Sequence, residues 1–484
     1  MIDSTPPPPE PTRHRRTRRL SGVVVAALAM VAAIAAPSGP TDAAPSAPAA
    51  DAMSLSMVEL LGDENGSTVM SLDDLREDVL EDQLEDGGKN GVGIDIALID
   101  SGVAPVDGLD GDHVLHGPDL SNEGTIPEVA YLDTYGHGTH MAGIIAGRRD
   151  GHQGIADGSR LVSLKVAGAD GVTTVPQVIA AIDWVVDHRN SDGLNIRVLN
   201  LSLGLAGVDD HRGDLLSAAV ERAWDAGIVV VVSAGNRGAA PGHLDSPAID
   251  PYVIAVAAGD NTVDEDEDEQ PPAWFTSHGD GDRNPDLMAP GVSIASYRVP
   301  GSTIDQQVPS ARHGDDLFRG SGSSQAAAVT SGAAARILSD YPSMTPDEVK
   351  ETLASSSEHD LGFGSHIVGN GMIDVEGAWE DPEFGRTQRH DRAAGRGTGI
   401  VAPSGATWTG GQWAGGQWAG ATWTGATWTG GQWAGATWTG ATWTGATWTG
   451  ATWTGGQWAG ATWTGATWTG ATWTGATWTG EGWS

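Results

Sequence analysis

The sequence predicts an α/β domain built on a mainly parallel sheet, and two observations lead to this fold class. Between residues 91 and 380, short apolar runs typical of buried strands alternate with longer amphipathic stretches typical of helices. The chain has 484 residues, which is enough to bury a large core. Strands that alternate with helices favour a parallel sheet with helices on both faces.

Each predicted element has its own sequence signal. The predicted strands are aliphatic runs at 94–99, 161–166, 198–201, 228–232 and 253–257. One predicted helix covers about 175–188, with Pro176 in its first turn, and another covers about 214–226 and ends before Gly227. Ligands bind beyond the carboxyl ends of parallel strands. Asp100 and Asn236 follow two of these strands, so we expect both at this edge.

Composition divides the chain into five parts. Leu72–Leu80 forms a possible short helix within the second of them. The predicted parts are a signal peptide at about 1–44, a short acidic N-terminal or pro segment at 45–90, the α/β domain at 91–380, a linker at 381–403 and a Trp-rich pentapeptide repeat at 404–484.

The N-terminus predicts export from the cell. Five arginines between residues 13 and 19 precede an apolar run from Gly22 to Ala36, which Pro37 ends. This run suits a signal peptide and is too short to span a bilayer comfortably. Arg18-Arg19 fits a twin-arginine signal, and a general secretion signal fits equally well. No other segment is apolar and long enough for a transmembrane anchor, so we expect a secreted protein that is free or associated with the cell surface.

The net charge excludes some partners. Acidic residues outnumber basic ones 63 to 26, and the formal charge is −37. Such a surface repels nucleic acids and anionic membranes. Because salt screens self-repulsion, the charge favours a saline habitat over the alternative of ordinary acidic solubility. The chain has no cysteine, so a thiol nucleophile, a disulfide and a thiolate metal site are all excluded.

Three motifs carry the residues of nucleophilic catalysis. A serine hydroxyl needs a base, and an imidazole needs a carboxylate to hold its tautomer. Ser324 precedes a run of small residues that predicts a buried helix, whose N-terminus would favour a developing oxyanion. Asn236 is the predicted second oxyanion donor. The motifs are Asp100-Ser101-Gly102, Gly136-His137-Gly138-Thr139-His140-Met141-Ala142-Gly143 and Gly322-Ser323-Ser324-Gln325-Ala326-Ala327.

Residues 91–380 resemble the subtilisin-type serine peptidases. The resemblance rests on the three motifs in the order Asp, His, Ser, and on Ser202-Leu203-Gly204, Ser233-Ala234-Gly235-Asn236 and Met288-Ala289-Pro290-Gly291. It implies a three-layer fold and a serine endopeptidase that acts on proteins or peptides. It further implies that Ser324 is the nucleophile, His137 the general base and Asp100 its orienting group. Asn236 becomes the oxyanion donor, and Ser202, Leu203 and Gly204 pair with the substrate backbone.

The chain departs from the family pattern close to the nucleophile. Ala328 and Val329 stand where the family usually has Pro and His, and Gln325 stands where Met is common. Ser321 and Ser323 flank Ser324 and are alternative nucleophiles. His140 is either a helix-packing residue, which we favour, or a metal ligand.

The chemistry requires no cofactor, although the family often binds structural calcium. An acidic run at 264–269 is the one stretch that suggests such a site. A charge run does not define ligand geometry, so a solvated surface insertion is the favoured interpretation.

The tail holds sixteen tryptophans, one every fifth residue from Trp408 to Trp483. We expect either a flexible or assembly-dependent segment, which is favoured, or a solenoid that turns once per pentad and places every Trp on one face. Exposed indoles would suit contact with cell wall or polysaccharide, or self-association. A low-complexity spacer is the simpler alternative. An adhesion protein with an auxiliary or inactive peptidase domain is therefore the second function hypothesis.

Overall fold

The computed structural model describes residues 52–55, 69–80, 89–239, 242–262, 270–357 and 362–393, together with the backbone of short strands between 407 and 479. Within these residues the central element is a seven-stranded sheet whose neighbouring strands are all parallel. This confirms the predicted fold class. In spatial order its strands are β11 (Leu287–Pro290), β10 (Ile254–Gly259), β9 (Val229–Ser233), β8 (Ile196–Leu201), β2 (Asp95–Asp100), β6 (Arg160–Lys165) and β3 (Val114–Asp119).

The strands form where the sequence is rich in aliphatic residues. Strands β2, β9 and β10 are buried along their whole length, as expected when helices cover both faces of a parallel sheet. The helices are α1 (Leu72–Leu80), α2 (His137–Ala146), α3 (Val175–His188), α4 (Leu215–Asp225), α5 (Thr303–Gln307), α6 (Ser323–Asp340), α7 (Pro346–Ser356), α8 (Ser365–Val368) and α9 (Val375–Glu380). The remaining strands of the domain are β1 (Ala52–Ser54), β4 (Arg148–Arg149), β5 (His152–Gln153), β7 (Val172–Thr174), β12 (Ile294–Tyr297), β13 (Arg312–His313) and β14 (Leu317–Gly320).

Helix α6 lies in the centre of the domain. Its residues are buried from Ser323 to Ser339, and it packs against α2 and strands β8, β9 and β10. Small side chains permit this close approach: a Cβ atom added to Gly332 would lie 2.6 Å from the Cβ atom of Ile155. The Ala-rich sequence of α6 therefore follows from its crowded position.

The N-terminal acidic segment contributes to the same domain. Helix α1 forms at the predicted residues, and Leu72, Leu75, Val79 and Leu80 are buried in the main core. Strand β1 pairs antiparallel with β7, with Met53 opposite Thr173. The predicted signal peptide at 1–44 lies outside the described residues.

The first part of the predicted linker also packs against the domain. The backbone N–H of Ala393 donates to Glu221 Oε1 at 2.6 Å, and the backbone N–H of Gln388 donates to Asp347 Oδ2 at 3.1 Å. Residues 381–393 therefore lie against the domain, and the compact unit extends past the boundary predicted at residue 380.

The described backbone of the tail contains fifteen three-residue strands, one per pentad, from β15 (Thr407–Thr409) to β29 (Thr477–Thr479). Each of the first eleven tail strands pairs in parallel with the strand four pentads later, so that Trp408 is in register with Trp428. The solenoid alternative with one turn per pentad would pair neighbouring pentads, whereas the described strands pair four pentads apart. A pentad of extended chain spans only about 16 Å, enough for one side of a coil but not for a closed turn.

Candidate active site

His137 and Asp100 form a buried pair at the carboxyl edge of the sheet. Asp100 is the last residue of β2, and His137 is the first residue of α2. The Nδ1 atom of His137 lies 2.8 Å from Oδ1 and 2.9 Å from Oδ2 of Asp100. The carboxylate thus holds the proton on Nδ1, which leaves Nε2 as a proton acceptor. Nε2 has no hydrogen-bond partner among the described residues.

A second carboxylate, which the sequence analysis missed, organises this pair. Asp133 is buried and accepts hydrogen bonds from Ser101 Oγ, the N–H of Gly136 and both the N–H and Oγ1 of Thr139, at 2.6–2.8 Å. Burial raises the pKa of Asp133, and the four donors oppose this rise. The backbone N–H of Ser101 donates to Asp100 Oδ1 at 2.7 Å. The signal in the sequence was an aspartate four residues before the start of α2, because Asp side chains in turns before helices often bind nearby backbone N–H groups.

Ser324 lies in the first turn of α6, as predicted. Its Oγ donates to the carbonyl oxygen of Ser202 at 3.3 Å, and Ser202 Oγ donates to the carbonyl oxygen of Ser324 at 3.2 Å. The hydroxyl of Ser324 therefore points to the segment after β8 rather than to His137. Rotation about the Cα–Cβ bond re-aims a serine hydroxyl, and catalytic hydrogen bonds are often formed only in the substrate complex.

The polar residues near Ser324 and His137 form hydrogen bonds with other groups. Ser323 Oγ donates to Asn236 Oδ1 at 2.9 Å and accepts from the N–H of Gly235 at 3.1 Å. Ser321 Oγ accepts from the N–H of Ser293 at 2.8 Å. The two alternative nucleophiles thus form hydrogen bonds that hold the loops around Ser324. The Nε2 atom of His140 lies 3.0 Å from the Phe318 carbonyl oxygen.

His140 is a packing residue, as favoured above. It is buried within α2, and desolvation lowers its pKa to about 3. Burial inside α2 and the contact of Nε2 with a backbone carbonyl fit a packing role for this imidazole. Among the described residues there is no group of three or more His, Asp or Glu side chains placed to hold a metal ion. The acidic run at 264–269 lies outside those residues.

Asn236 follows β9 and is oriented by the start of α6. Its Oδ1 accepts the N–H of Ser323 at 2.8 Å. A Cβ atom added to Gly322 would lie 3.2 Å from Asn236 Nδ2, so the amide nitrogen lies beside the residue that precedes Ser323. The carboxamide therefore presents its nitrogen close to the N-terminus of α6, the predicted location of an oxyanion donor.

The three predicted substrate-pairing residues follow β8 directly. Ser202 and Leu203 are buried. Leu205, which follows Gly204, exchanges two backbone hydrogen bonds with Ser246, of 2.8 and 3.0 Å. Gly204 lies against Asp245, where a Cβ atom on the glycine would be 2.8 Å from the Asp245 Cβ atom. The structure thus brings all seven predicted site residues to one edge of the sheet.

Gln325 is an unusual neighbour of Ser324. Its side chain is fully buried, and neither its Oε1 nor its Nε2 has a hydrogen-bond partner among the described residues. A Cβ atom on Gly322 would lie 2.8 Å from Gln325 Oε1. The sequence already showed that Gln325 departs from the family pattern. Only the structure shows that its carboxamide lacks hydrogen-bond partners among the described residues.

Comparisons with known proteins show the family of the domain that carries this site. The subtilase family model matches residues 91–388. Serine protease AprX of Bacillus subtilis (strain 168) is 36% identical over 297 residues, which cover 59% of this chain and 66% of that protein. Subtilisin of Bacillus pumilus is 33% identical over 304 residues, which cover 61% of this chain and 94% of that protein.

A solved structure shows the same fold. Fervidolysin from Fervidobacterium pennivorans, a keratinolytic enzyme related to subtilisin, aligns with a TM-score of 0.52 and 26% identity, over 69% of this chain and 51% of that one. The chain thus spans just under two thirds of AprX and about half of fervidolysin. No helix among the described residues is long and apolar enough to cross a membrane. The family model covers more than half of the sequence, and the chain therefore belongs to the subtilase family of serine endopeptidases.

Proposed function

We propose that this chain is an exported endopeptidase that hydrolyses peptide bonds through an acyl-enzyme at Ser324. The observation that carries the proposal is the buried contact between His137 Nδ1 and Asp100, at 2.8 and 2.9 Å, on the same sheet edge as the start of α6. This contact sets the imidazole tautomer that a general base requires.

In acylation, Ser324 Oγ attacks the carbonyl carbon of the scissile bond while His137 Nε2 takes the hydroxyl proton. The resulting tetrahedral intermediate carries an oxyanion, for which Asn236 Nδ2 and the N-terminus of α6 are the donors. His137 then gives its proton to the leaving nitrogen, the C–N bond breaks and the acyl-enzyme remains. Asp100 stabilises the imidazolium throughout.

In deacylation the same groups act on water. His137 Nε2 takes a proton from the water molecule, whose oxygen attacks the acyl carbon and forms a second oxyanion at the same donors. Collapse of that intermediate releases the peptide carboxylic acid and returns the proton to Ser324 Oγ. Ser202, Leu203 and Gly204 supply the edge along which the substrate backbone pairs.

The proposal of export rests on the first 44 residues, in which a basic stretch is followed by an apolar run and then by small residues. Calcium bound by residues 264–269 would stabilise the fold and take no part in the chemistry. Thermal unfolding with and without a chelator tests that contribution: an unchanged midpoint would contradict it.

The decisive experiment is reaction with a fluorophosphonate, read by intact mass. The chain should gain one adduct, and Ser324→Ala should gain none. Ser331→Ala is a matched control, because Ser331 lies in the same helix and its Oγ donates to the Ala327 carbonyl oxygen at 2.8 Å. This control should label like the unaltered chain. Labelling of Ser324→Ala would refute the assignment of the nucleophile.

A second candidate function is attachment through the Trp repeat. The observation that favours it is the register of the tail strands, which places Trp408, Trp428, Trp448 and Trp468 in one ladder. A regular array of this kind suits a repetitive surface such as cell wall or polysaccharide. Pull-down of the full chain and of a chain ending at residue 403 tests it, and equal retention of the two would contradict it.

A further inference from the structure

Asp245 lies between the two segments that flank Ser324. One segment is Ser202–Gly204, where a Cβ atom on Gly204 would be 2.8 Å from the Asp245 Cβ atom. The other contains Gly235, where a Cβ atom would collide with Asp245 Oδ2. The backbone N–H of Asp245 also donates to the Ala234 carbonyl oxygen at 3.1 Å. Both segments approach the carboxylate through a glycine, so no side chain from these two positions covers it.

The position of Asn236 relates this carboxylate to the reaction. In the proposed mechanism, the carbonyl carbon under attack lies between Ser324 Oγ and Asn236 Nδ2. The side chain of the P1 residue, which contributes that carbonyl, therefore starts beside Asn236 and the substrate-pairing segment. Asp245 lies next to Gly204 and Gly235, one glycine in each of the two segments beside which the P1 side chain starts. A long P1 side chain that runs between these two segments would bring its far end to the Asp245 carboxylate.

Among the described residues the carboxylate forms an ion pair with the guanidinium of Arg237. The Asp245 side chain is 11% exposed, whereas that of Arg237 is 32% exposed. Arg237 directly follows Asn236, and its backbone N–H donates to Ser277 Oγ at 3.2 Å, so its backbone is held independently of the ion pair. Burial raises the pKa of Asp245, which Arg237 opposes. The arginine thus neutralises a buried carboxylate from the solvent side.

We propose that Asp245 lies at the bottom of the S1 pocket, which receives the P1 side chain, and that this pocket selects lysine and arginine. The inference rests on the proposed function of Ser324. A buried carboxylate needs a cation. A substrate ammonium or guanidinium satisfies it as well as Arg237 does, while the displaced arginine side chain turns into solvent. A leucine or phenylalanine at P1 would instead leave the Arg237–Asp245 pair in place beneath an apolar side chain.

Peptide p-nitroanilides with one common P4–P2 sequence and Lys, Arg, Leu, Phe or Glu at P1 test the inference. We expect kcat/KM for Lys and Arg to exceed that for Leu by at least about tenfold. Asp245→Asn should lower kcat/KM for Lys and Arg about 100-fold and change that for Leu less than about threefold. Arg237→Gln should raise kcat/KM for Lys and Arg, because the competing cation is removed.

Asp209→Asn is the matched control, because it removes one negative charge at a carboxylate that is 86% exposed. It should leave the P1 preference unchanged. Fluorophosphonate labelling of Ser324 in each variant separates the two proposals. A labelled Asp245→Asn that loses activity equally on all P1 residues would make Asp245 structural only and overturn the inference. A preference for Leu or Phe that Arg237→Gln does not alter would overturn it too, even if Asp245→Asn fails to fold. No labelling of the unaltered chain would refute the function of Ser324 and the inference with it.

Discussion

His137 and Asp100 contact each other through one nitrogen and two oxygens, with Nδ1 2.8 Å from Oδ1 and 2.9 Å from Oδ2. Because this contact fixes the tautomer, Asp100→Asn should lower kcat about 10⁴-fold while the fold is retained. Steady-state kinetics on a peptide substrate measure the loss. Asp95→Asn, at the other end of β2 in an ion pair with Arg160, is the control and should cost stability but not kcat. Equal kcat values for both variants would contradict the proposed role.

His113 should make the protein sensitive to acid. Its Nε2 lies 2.6 Å from the Ala146 carbonyl oxygen, and burial, aided by the charge of Arg148, lowers its pKa from 6.5 to about 4. The native state then binds fewer protons than the unfolded chain between these pH values. The free energy of unfolding should therefore fall, by up to about 1.4 kcal/mol per pH unit from this group, as pH decreases from 6.5 to about 4.

Urea unfolding at several pH values measures this slope. The experiment uses a Ser324→Ala background, which prevents self-digestion. His113→Gln removes the titrating group and should flatten the slope by about that amount. Identical slopes with and without His113 would show that this residue does not cause the acid sensitivity.

Gln325→Met should stabilise the protein. The buried carboxamide has no partner among the described residues, and an unsatisfied buried polar group costs about 1–3 kcal/mol. Methionine keeps the unbranched shape, so the midpoint of thermal unfolding should rise by about 2–6 °C. Gln177→Met is the matched control, because Gln177 Nε2 donates to the Leu120 carbonyl oxygen at 2.7 Å and its Oε1 accepts from Thr174. That control should lower the midpoint, and a decrease for both variants would contradict the explanation.

The segment 381–393 should be required for full stability. Besides the hydrogen bond from Ala393 to Glu221, the Arg392 guanidinium lies 3.3 Å from the centre of the Tyr252 ring. A chain ending at residue 380 loses these contacts and should unfold at a lower urea concentration. Its free energy of unfolding should fall by about 3 kcal/mol. A chain ending at residue 393 should match one ending at 403. Equal midpoints for all three chains would contradict this role of the segment.

Local sequence predicted the elements that depend on local rules. Helix α3 begins where Thr174 and Gln177 form a capping box with Pro in the first turn, and it covers the predicted residues. All five predicted strands coincide with parallel strands of the sheet to within two residues at each end, because a strand covered on both faces needs an unbroken apolar run. The three motifs were recognisable because acyl transfer limits the residue types that can serve.

The sequence by itself thus determined the fold class, the family and the identity of the residues proposed for catalysis. Only the tertiary structure decided which other groups surround them. Asp133 binds the turn before α2, Gln325 is left without a partner, and Asp245 lies between Gly204 and Gly235. It also decided that residues 381–393 lie against the domain and that tail strands four pentads apart pair with each other. These features depend on contacts between residues far apart in the chain, and such contacts leave no periodic or local signal in a single sequence.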